Sequence, residues 1–304
     1  FSFKAFGPMG SFVCPWFLIL SYIGVVCFEA CSLPTVIQYV FPGFLKGYLY
    51  SVAGFDIYAT WLVFALLFAV LITYINIRGI KAATVLQTVL TVIIAAVGII
   101  LVAASAINGR ADNLSGQMFL GEDGFSVIKN VLSVAVIAPF FLFGFDVIPQ
   151  VAEEINVPLK KVGRLMLLSI LLAVGFYGLV VSAVGFVLNP SDIALSVEQN
   201  GLVTADAMAK AFSSETMAKV LIIGGICGIV TSWNSFLLGG RRTLCSMAEA
   251  HMIPSTFGKL HEKYKTPMNA ILLVGGLSII SVFFGRTMLI WISDVASFAC
   301  CVAY

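Results

Sequence analysis

Eight stretches of this sequence are apolar over lengths close to what a helix needs to cross a bilayer, about 20 residues for roughly 30 Å of hydrocarbon. They cover residues 11–33, 58–77, 83–107, 127–151, 165–188, 219–239, 269–285 and 287–304, the seventh being short and the eighth incomplete. Segments such as 62–72 and 165–174 lack the period-two alternation of a membrane barrel, so the spans are expected to be helical. Hydrophobic residues fill 60% of the 304 positions and charged residues 11%, against roughly half and a quarter in an average soluble domain. That balance excludes a soluble globular enzyme, a disordered chain and a nucleic-acid binder. The expected fold class is an all-α polytopic membrane protein with eight transmembrane helices. The chain begins on Phe1 and stops at Tyr304 inside an apolar run, and it is read as the middle of a longer protein.

The placement of Lys and Arg orients the spans. One set of flanks holds Lys4, Arg78, Lys81, Lys160, Lys161, Arg164, Arg241, Arg242, Lys259, Lys263 and Lys265. The other holds Lys46, Arg110, Lys129, Lys210, Lys219 and Arg286, offset by Asp56, Asp112, Glu122, Asp123, Asp192, Glu198, Asp206 and Glu215. The first set is expected to be cytoplasmic, which places the N-terminal end of the chain inside the cell. An outer loop is expected over 34–56, and a basic inner loop over 240–268 with both histidines, His251 and His261. In a second outer loop, 189–218, Val203, Ala207, Met208, Ala211 and Phe212 fall on one helical face with Thr204 as N-cap. That short helix either caps an outer vestibule or lies at the interface.

Three acids fall inside spans, where a carboxylate at mid-helix costs at least about 2.5–3.5 kcal/mol. They are Glu29, Asp146 and Asp294, each expected to face the bundle interior, protonated or hydrogen-bonded. Asp146 sits between Pro139 and Pro149 with Gly144 beside it. Each proline removes a helix donor, and glycine weakens the helix between them. A helix broken at that depth is tolerated only where its backbone faces protein or a cavity, the way transporters make polar sites without charged side chains. The competing interpretation is a plain proline kink whose stray amides Asp146 satisfies. Glu29 either binds a proton or a cationic group, or bonds to a neighbouring helix; Asp294 reads as structural. A second polar cluster, Thr231-Ser232-Trp233-Asn234-Ser235, lies close to Gly224, Gly225 and Gly228. Small residues there permit close helix approach, and the hydroxyls are also potential oxygen ligands for a sodium ion.

The seven cysteines, Cys14, Cys27, Cys31, Cys227, Cys245, Cys300 and Cys301, lie in or beside apolar runs without metal-ligand spacing and read as buried free thiols. Neither a His-Glu-x-x-His nor a Gly-x-Ser-x-Gly motif occurs, so an intramembrane enzyme is not expected, nor a bound cofactor or metal.

Several landmarks occur in an order and spacing similar to a known family. They are Phe6-Gly7-Pro8-Met9-Gly10 with Trp16, Asn76-Ile-Arg78-Gly79-Ile-Lys81, and Phe143-Gly144-Phe145-Asp146 with Glu153, Glu154 and Pro158. Arg242, Met247, Ala248, Pro254, His261 and Thr266-Pro267 complete the set. The chain resembles bacterial permeases of the amino acid–polyamine–organocation (APC) superfamily. The resemblance implies a partial inverted-repeat bundle of the LeuT type, five helices plus five, with the eight spans as the family's third to tenth helices. It implies one transmembrane domain over 1–304, with about 1–107 the remainder of the first repeat and about 108–304 an incomplete second repeat.

The resemblance also implies a site. In the family, carbonyls at the break of the sixth helix hold a substrate amino group, which here maps to Phe140, Phe141, Phe143, Gly144 and Phe145, with Asp146 and Glu29 as further substrate-binding candidates. Some members place a lysine in the fifth helix as a sodium surrogate; the matching position here is about Ile94. Thr231 and Ser232 stand where sodium-coupled relatives place hydroxyl ligands. Val157 and Gly163 depart from the family's Asn and Pro, and Glu153 and Glu154 are candidates for cytoplasmic gate ion pairs. The function implied is secondary active transport of amino acids or amines across a bacterial plasma (inner) membrane, coupled to H+ or Na+ or by exchange. A channel or passive pore is the alternative.

Overall fold

A helix satisfies its own backbone away from water, so the apolar runs wind into helices. The structure, a computed structural model, describes residues 2–41, 43–79, 81–114, 123–150, 158–198 and 202–304, the side chains of 2–6, 8, 81–86 and 159 excepted. Among the described residues the helices are α1 (Ser2–Val40), α2 (Ala59–Arg78), α3 (Lys81–Asn108), α4 (Gly124–Leu142), α5 (Val147–Gln150), α6 (Leu159–Val187), α7 (Pro190–Glu198), α8 (Val203–Phe212), α9 (Glu215–Glu249), α10 (Met268–Ser281) and α11 (Thr287–Ala303). Among the described residues six segments are long and apolar enough to span a membrane: α1, α2, α3, α4 with α5, α6 and α9; α10 and α11 are shorter apolar helices. Over its described residues each of the eight expected stretches is thus mainly helical, the fourth in two pieces. Glu122, Glu153, Glu154 and Val157 lie outside the described residues, as do the side chains of Lys4 and Lys81.

Three loop expectations change. The first helix runs to Val40 instead of ending near residue 33, and α9 continues to Glu249. The outer segment after α1 forms a hairpin, β1 (Tyr48–Val52) against β2 (Phe55–Tyr58), antiparallel with Ser51 opposite Asp56. Its turn residues Ala53 and Gly54 both have positive φ, 46° and 87°, the two-residue geometry that matches strand twist. Thr204 is not an N-cap: α8 starts at Val203, two residues earlier than that cap would set, with Leu202 at the cap and no side-chain bond there. The apolar face of α8 is as expected for Ala207, Met208 and Ala211, which are buried, whereas Phe212 is exposed.

α1 is the central post, packed against α2, α9, α10 and α11. Tyr22, Val26, Ala30 and Cys31 on it are fully buried. Lipid is as apolar as leucine, so helix contacts here rest on close packing and hydrogen bonds more than on hydrophobic gain. At the α3–α9 contact a Cβ on Gly228 would lie 2.4 Å from Ile94 Cδ1, and one on Gly224 3.0 Å from Val97 Cβ, whereas Gly225 faces open space. A second cluster joins Leu101 and Ala104 of α3, Ala183, Val184 and Val187 of α6, and Ala207, Met208 and Ala211 of α8. The outward face of α6 leaves Leu167, Leu171, Leu172 and Val181 exposed, as expected where the solvent is hydrocarbon.

Two ends can be told apart. At one, Thr266 Oγ1 donates to the Ile77 carbonyl (2.8 Å), and the Arg78 guanidinium stacks over the Tyr264 ring at 5.7 Å. At the other, Tyr39 and Ser196 both donate to the Asp206 carboxylate, tying α1 to α7 and α8. The expectation that Asp294 faces inward is overturned: it is exposed. α11 buries Ile292, Ala296, Ala299, Cys300 and Ala303, and a residue two positions from Ile292 projects from the opposite side of a helix with 3.6 residues per turn. All seven cysteines are free thiols; Cys27, Cys31, Cys227 and Cys300 are buried, whereas Cys14 and Cys245 are half-buried and Cys301 is exposed.

Candidate functional site

Pro139 carries no N–H, so the carbonyl one turn before it loses its donor, and α4 ends three residues later. The Phe143 amide makes the last bond, to the Pro139 carbonyl at 3.0 Å. Phe143 is extended (φ −75°, ψ 164°) and Gly144 takes φ 121°, a region open only to glycine at low cost. The chain resumes as α5, with Val147 N–H to the Gly144 carbonyl at 3.1 Å. This is an interruption of the helix, not a kink. The Gly144 amide, which an unbroken helix would point at Phe140, donates to Asp146 Oδ1 at 2.9 Å. Among the described residues no backbone amide beyond the break bonds to the carbonyls of Phe140, Phe141 or Leu142.

Beside the interruption lies a cavity of about 370 Å³, a volume in the range of small-molecule sites. It is lined by Val25, Phe28 and Glu29 of α1, Gln87 and Thr91 of α3, Phe140, Phe141, Phe143, Gly144 and Val147 around the break, Tyr177 of α6, and Thr231, Ser232, Ser235 and Phe236 of α9. Glu29, Phe140, Phe141, Phe143, Gly144, Thr231 and Ser232, picked from widely separated parts of the sequence, therefore share one cavity. Glu29 is the single acidic side chain among the described lining residues, no basic one lines it, and Ser232 is its hydrogen-bonding partner. The Thr231 hydroxyl donates within its own helix, to the Cys227 and Gly228 carbonyls at 3.0 and 2.8 Å; its lone pairs are left as acceptors.

The rings make a continuous wall. Phe28 and Phe140 meet edge to face at 5.0 Å between centroids, whereas Phe140 and Phe143 lie tilted at 6.0 Å and Phe143 and Phe236 tilted at 5.0 Å. Phe236 also packs on Tyr22 at 5.6 Å.

Two expected site residues point elsewhere. Phe145 lines an adjoining cavity of about 270 Å³ with Ile148, Ser169, Ile170 and Ala173, and its ring lies 5.3 Å from that of Tyr304. Asp146 is buried and turned to α1, where the Tyr22 hydroxyl donates to Oδ2. The positive φ of Gly144 redirects the chain, so the side chains of Phe145 and Asp146 leave the wall that Phe140 and Phe143 form, to which Val147 returns. The polar residues that sequence reasoning missed are Gln87, Thr91 and Tyr177, whereas Ser235 belongs to the polar cluster that the sequence singled out. Gln87 and Thr91 carried a signal, polar groups at i,i+4 in an apolar span; Tyr177 had none that distinguished it from a packing residue.

A multi-helix membrane bundle with an interrupted helix opening on a solute-sized cavity defines the class of protein. The chain belongs to the amino acid permease family, whose profile matches residues 2–304. It is similar to the branched-chain amino acid permease BcaP of Bacillus subtilis, 25% identical over 284 residues, covering 91% of this chain and 58% of that one. It is also similar to the methylthioribose transporter of the same organism, 26% identical over 282 residues, 90% of this chain and 58% of the relative. A third relative, the vacuolar cationic amino acid transporter 8 of Arabidopsis thaliana, is 31% identical over 179 residues, 56% of this chain and 28% of its own. The chain spans somewhat over half the length of the first two relatives.

Proposed function

We propose that this chain forms most of the solute pathway of a secondary active transporter, which moves amino acids or related amines across the plasma membrane by alternating access. The observation that carries the proposal is the interruption at Phe143–Gly144, where the carbonyls of Phe140 and Phe141, unbonded among the described residues, belong to residues beside a cavity that also holds Glu29. Carbonyl oxygens, one carboxylate and a wall of aromatic rings all attract an ammonium group. The names of the relatives, for branched-chain and cationic amino acids, support an amino-acid solute.

Phe140, Phe141, Phe143 and Gly144 hold and enclose the solute, and Glu29 faces its ammonium. Phe145 and Asp146 act from behind the break, Asp146 by holding the Gly144 amide and the Tyr22 hydroxyl. Glu29, Ser232 and Thr231 form the place where a coupling cation, proton or sodium, is felt. Rocking of one helix group against the other would open the cavity to each side in turn. The basic flanks at the Arg78–Lys263 end support a cytoplasmic placement of that end.

The test is uptake of radiolabelled leucine, lysine and putrescine by the full-length protein in liposomes, with pH and sodium gradients imposed separately. The expected result is saturable uptake driven by one of the two gradients and lost in a folded Gly144→Leu variant. A large flux that does not saturate would replace the carrier by a channel.

A further inference from the structure

One wall of the cavity is backed by a chain of side-chain amides whose direction is set at both ends. Asn76 of α2 is fully buried; its Nδ2 donates to the Ile72 carbonyl at 3.0 Å and to Oδ1 of Asn234 on α9 at 2.9 Å. Asn234 Nδ2 donates to Oε1 of Gln87 on α3 at 3.0 Å, and Gln87 Nε2 donates to the Ser235 hydroxyl. That hydroxyl donates to the Thr231 carbonyl at 2.9 Å. The two terminal carbonyls accept and never donate, so each amide between them has a single orientation. One acceptor is left over: Asn76 Oδ1 is buried without a hydrogen-bond partner. Turning that amide over would set its oxygen against the Ile72 carbonyl. A contact serving packing alone gains nothing from an orphaned acceptor.

Gln87 and Ser235 line the cavity, whereas Asn76 and Asn234 do not. We propose that Gln87 determines which solutes the cavity accepts, and that Asn234 and Asn76 are positioning residues that fix the polarity of its carboxamide. A carboxamide has two N–H donors and two acceptor lone pairs. The chain uses one of each, which leaves one donor and one acceptor side by side for the solute. Their match is a neutral group that both accepts and donates, a hydroxyl or an amide, on an amino acid whose ammonium faces Glu29. This rests on the cavity being the solute site.

Threonine and valine differ by a hydroxyl in place of a methyl, and they are the probes. In liposomes containing the full-length protein, KM is expected to be lower for threonine than for valine. Gln87→Met should shrink the KM ratio about three- to tenfold, the worth of one hydrogen bond. Asn234→Asp puts an acceptor where Gln87 meets a donor; it should shift the ratio by a similar factor, and have no further effect in the Gln87→Met background. Asn234→Ser, which removes the bridge without adding charge, serves if the aspartate variant does not reach the membrane. The proposal is overturned if the wild type does not favour threonine, if Gln87→Met leaves the ratio unchanged, or if Asn234→Asp acts equally with and without Gln87. Ser232→Ala and Gly144→Leu separate the two levels. If they leave uptake untouched, the cavity is not the solute site; if they alter it and Gln87→Met does not, only the role of Gln87 falls.

Discussion

The hydroxyl of Tyr22, fully buried in the middle of α1, donates to the carboxylate of Asp146 on the far side of the interrupted helix. The same carboxylate accepts the Gly144 amide at 2.9 Å, and the Tyr304 hydroxyl also engages it. One acid thus ties the two ends of the break to α1, the most enclosed helix of the bundle. Tyr22→Phe removes one donor from a buried acceptor, which costs about 1–3 kcal/mol. The midpoint of thermal unfolding in detergent should fall accordingly, and less than additively when Tyr22→Phe is combined with Asp146→Asn. Full additivity would mean that the two residues do not act on each other.

Gly144 combines a φ of 121° with a close neighbour: a Cβ there would lie 3.0 Å from the Phe236 ring. Gly144→Ala should cost about 1–3 kcal/mol in backbone strain. Phe236→Leu relieves the contact but not the dihedral, so the double variant should stay destabilised. Recovery of wild-type stability in that double variant would show that crowding alone explains the glycine.

Glu29 is the one carboxylate among the described residues of the cavity wall. Glu29→Gln keeps the shape and removes the charge. Uptake assays should show KM for leucine, lysine and putrescine, which all carry an ammonium, raised about tenfold or more, a difference of about 1.4 kcal/mol. An unchanged KM with a lowered unfolding midpoint would point to a structural role.

Outside the membrane, Lys210 Nζ lies 2.6 Å from Asp192 Oδ2, and hydrogen bonding to that ammonium holds the Asp192 carboxyl below its usual value. A depressed folded-state value means the pair stabilises above the ordinary aspartate pKa, about 3.9, and the contribution is lost as pH falls through the lower folded value. Both groups are exposed, so Lys210→Met should cost no more than about 1 kcal/mol. The loss should shrink in about 1 M salt, where the screening length falls to about 3 Å, close to the separation of the pair. Unfolding midpoints compared at neutral and acid pH, at low and high salt, check both statements.

Much of the bundle was legible because bilayer thickness and backbone chemistry act on each span separately. Run length located the eight helices, and the Pro139–Gly144–Pro149 spacing located the break that α4 and α5 display. Glu29 was legible as a charge in an apolar run, though not its direction. Asp294 shows the limit, since its exposure follows from which face α11 turns inward.

The sequence by itself determined what each segment is: a helix because its backbone has no other partner in hydrocarbon, and an interruption where proline and glycine withdraw that partnership. Only the tertiary structure decided which side chains meet. Gln87, Tyr177 and Ser235 come to one cavity from three helices, and Asp146 leaves it for Tyr22. Rotation of a helix about its axis is set by its neighbours, through the glycines that admit Ile94 and Val97 and the amides that find one another across α2, α3 and α9. That information lies between segments, where no periodicity within one of them can carry it.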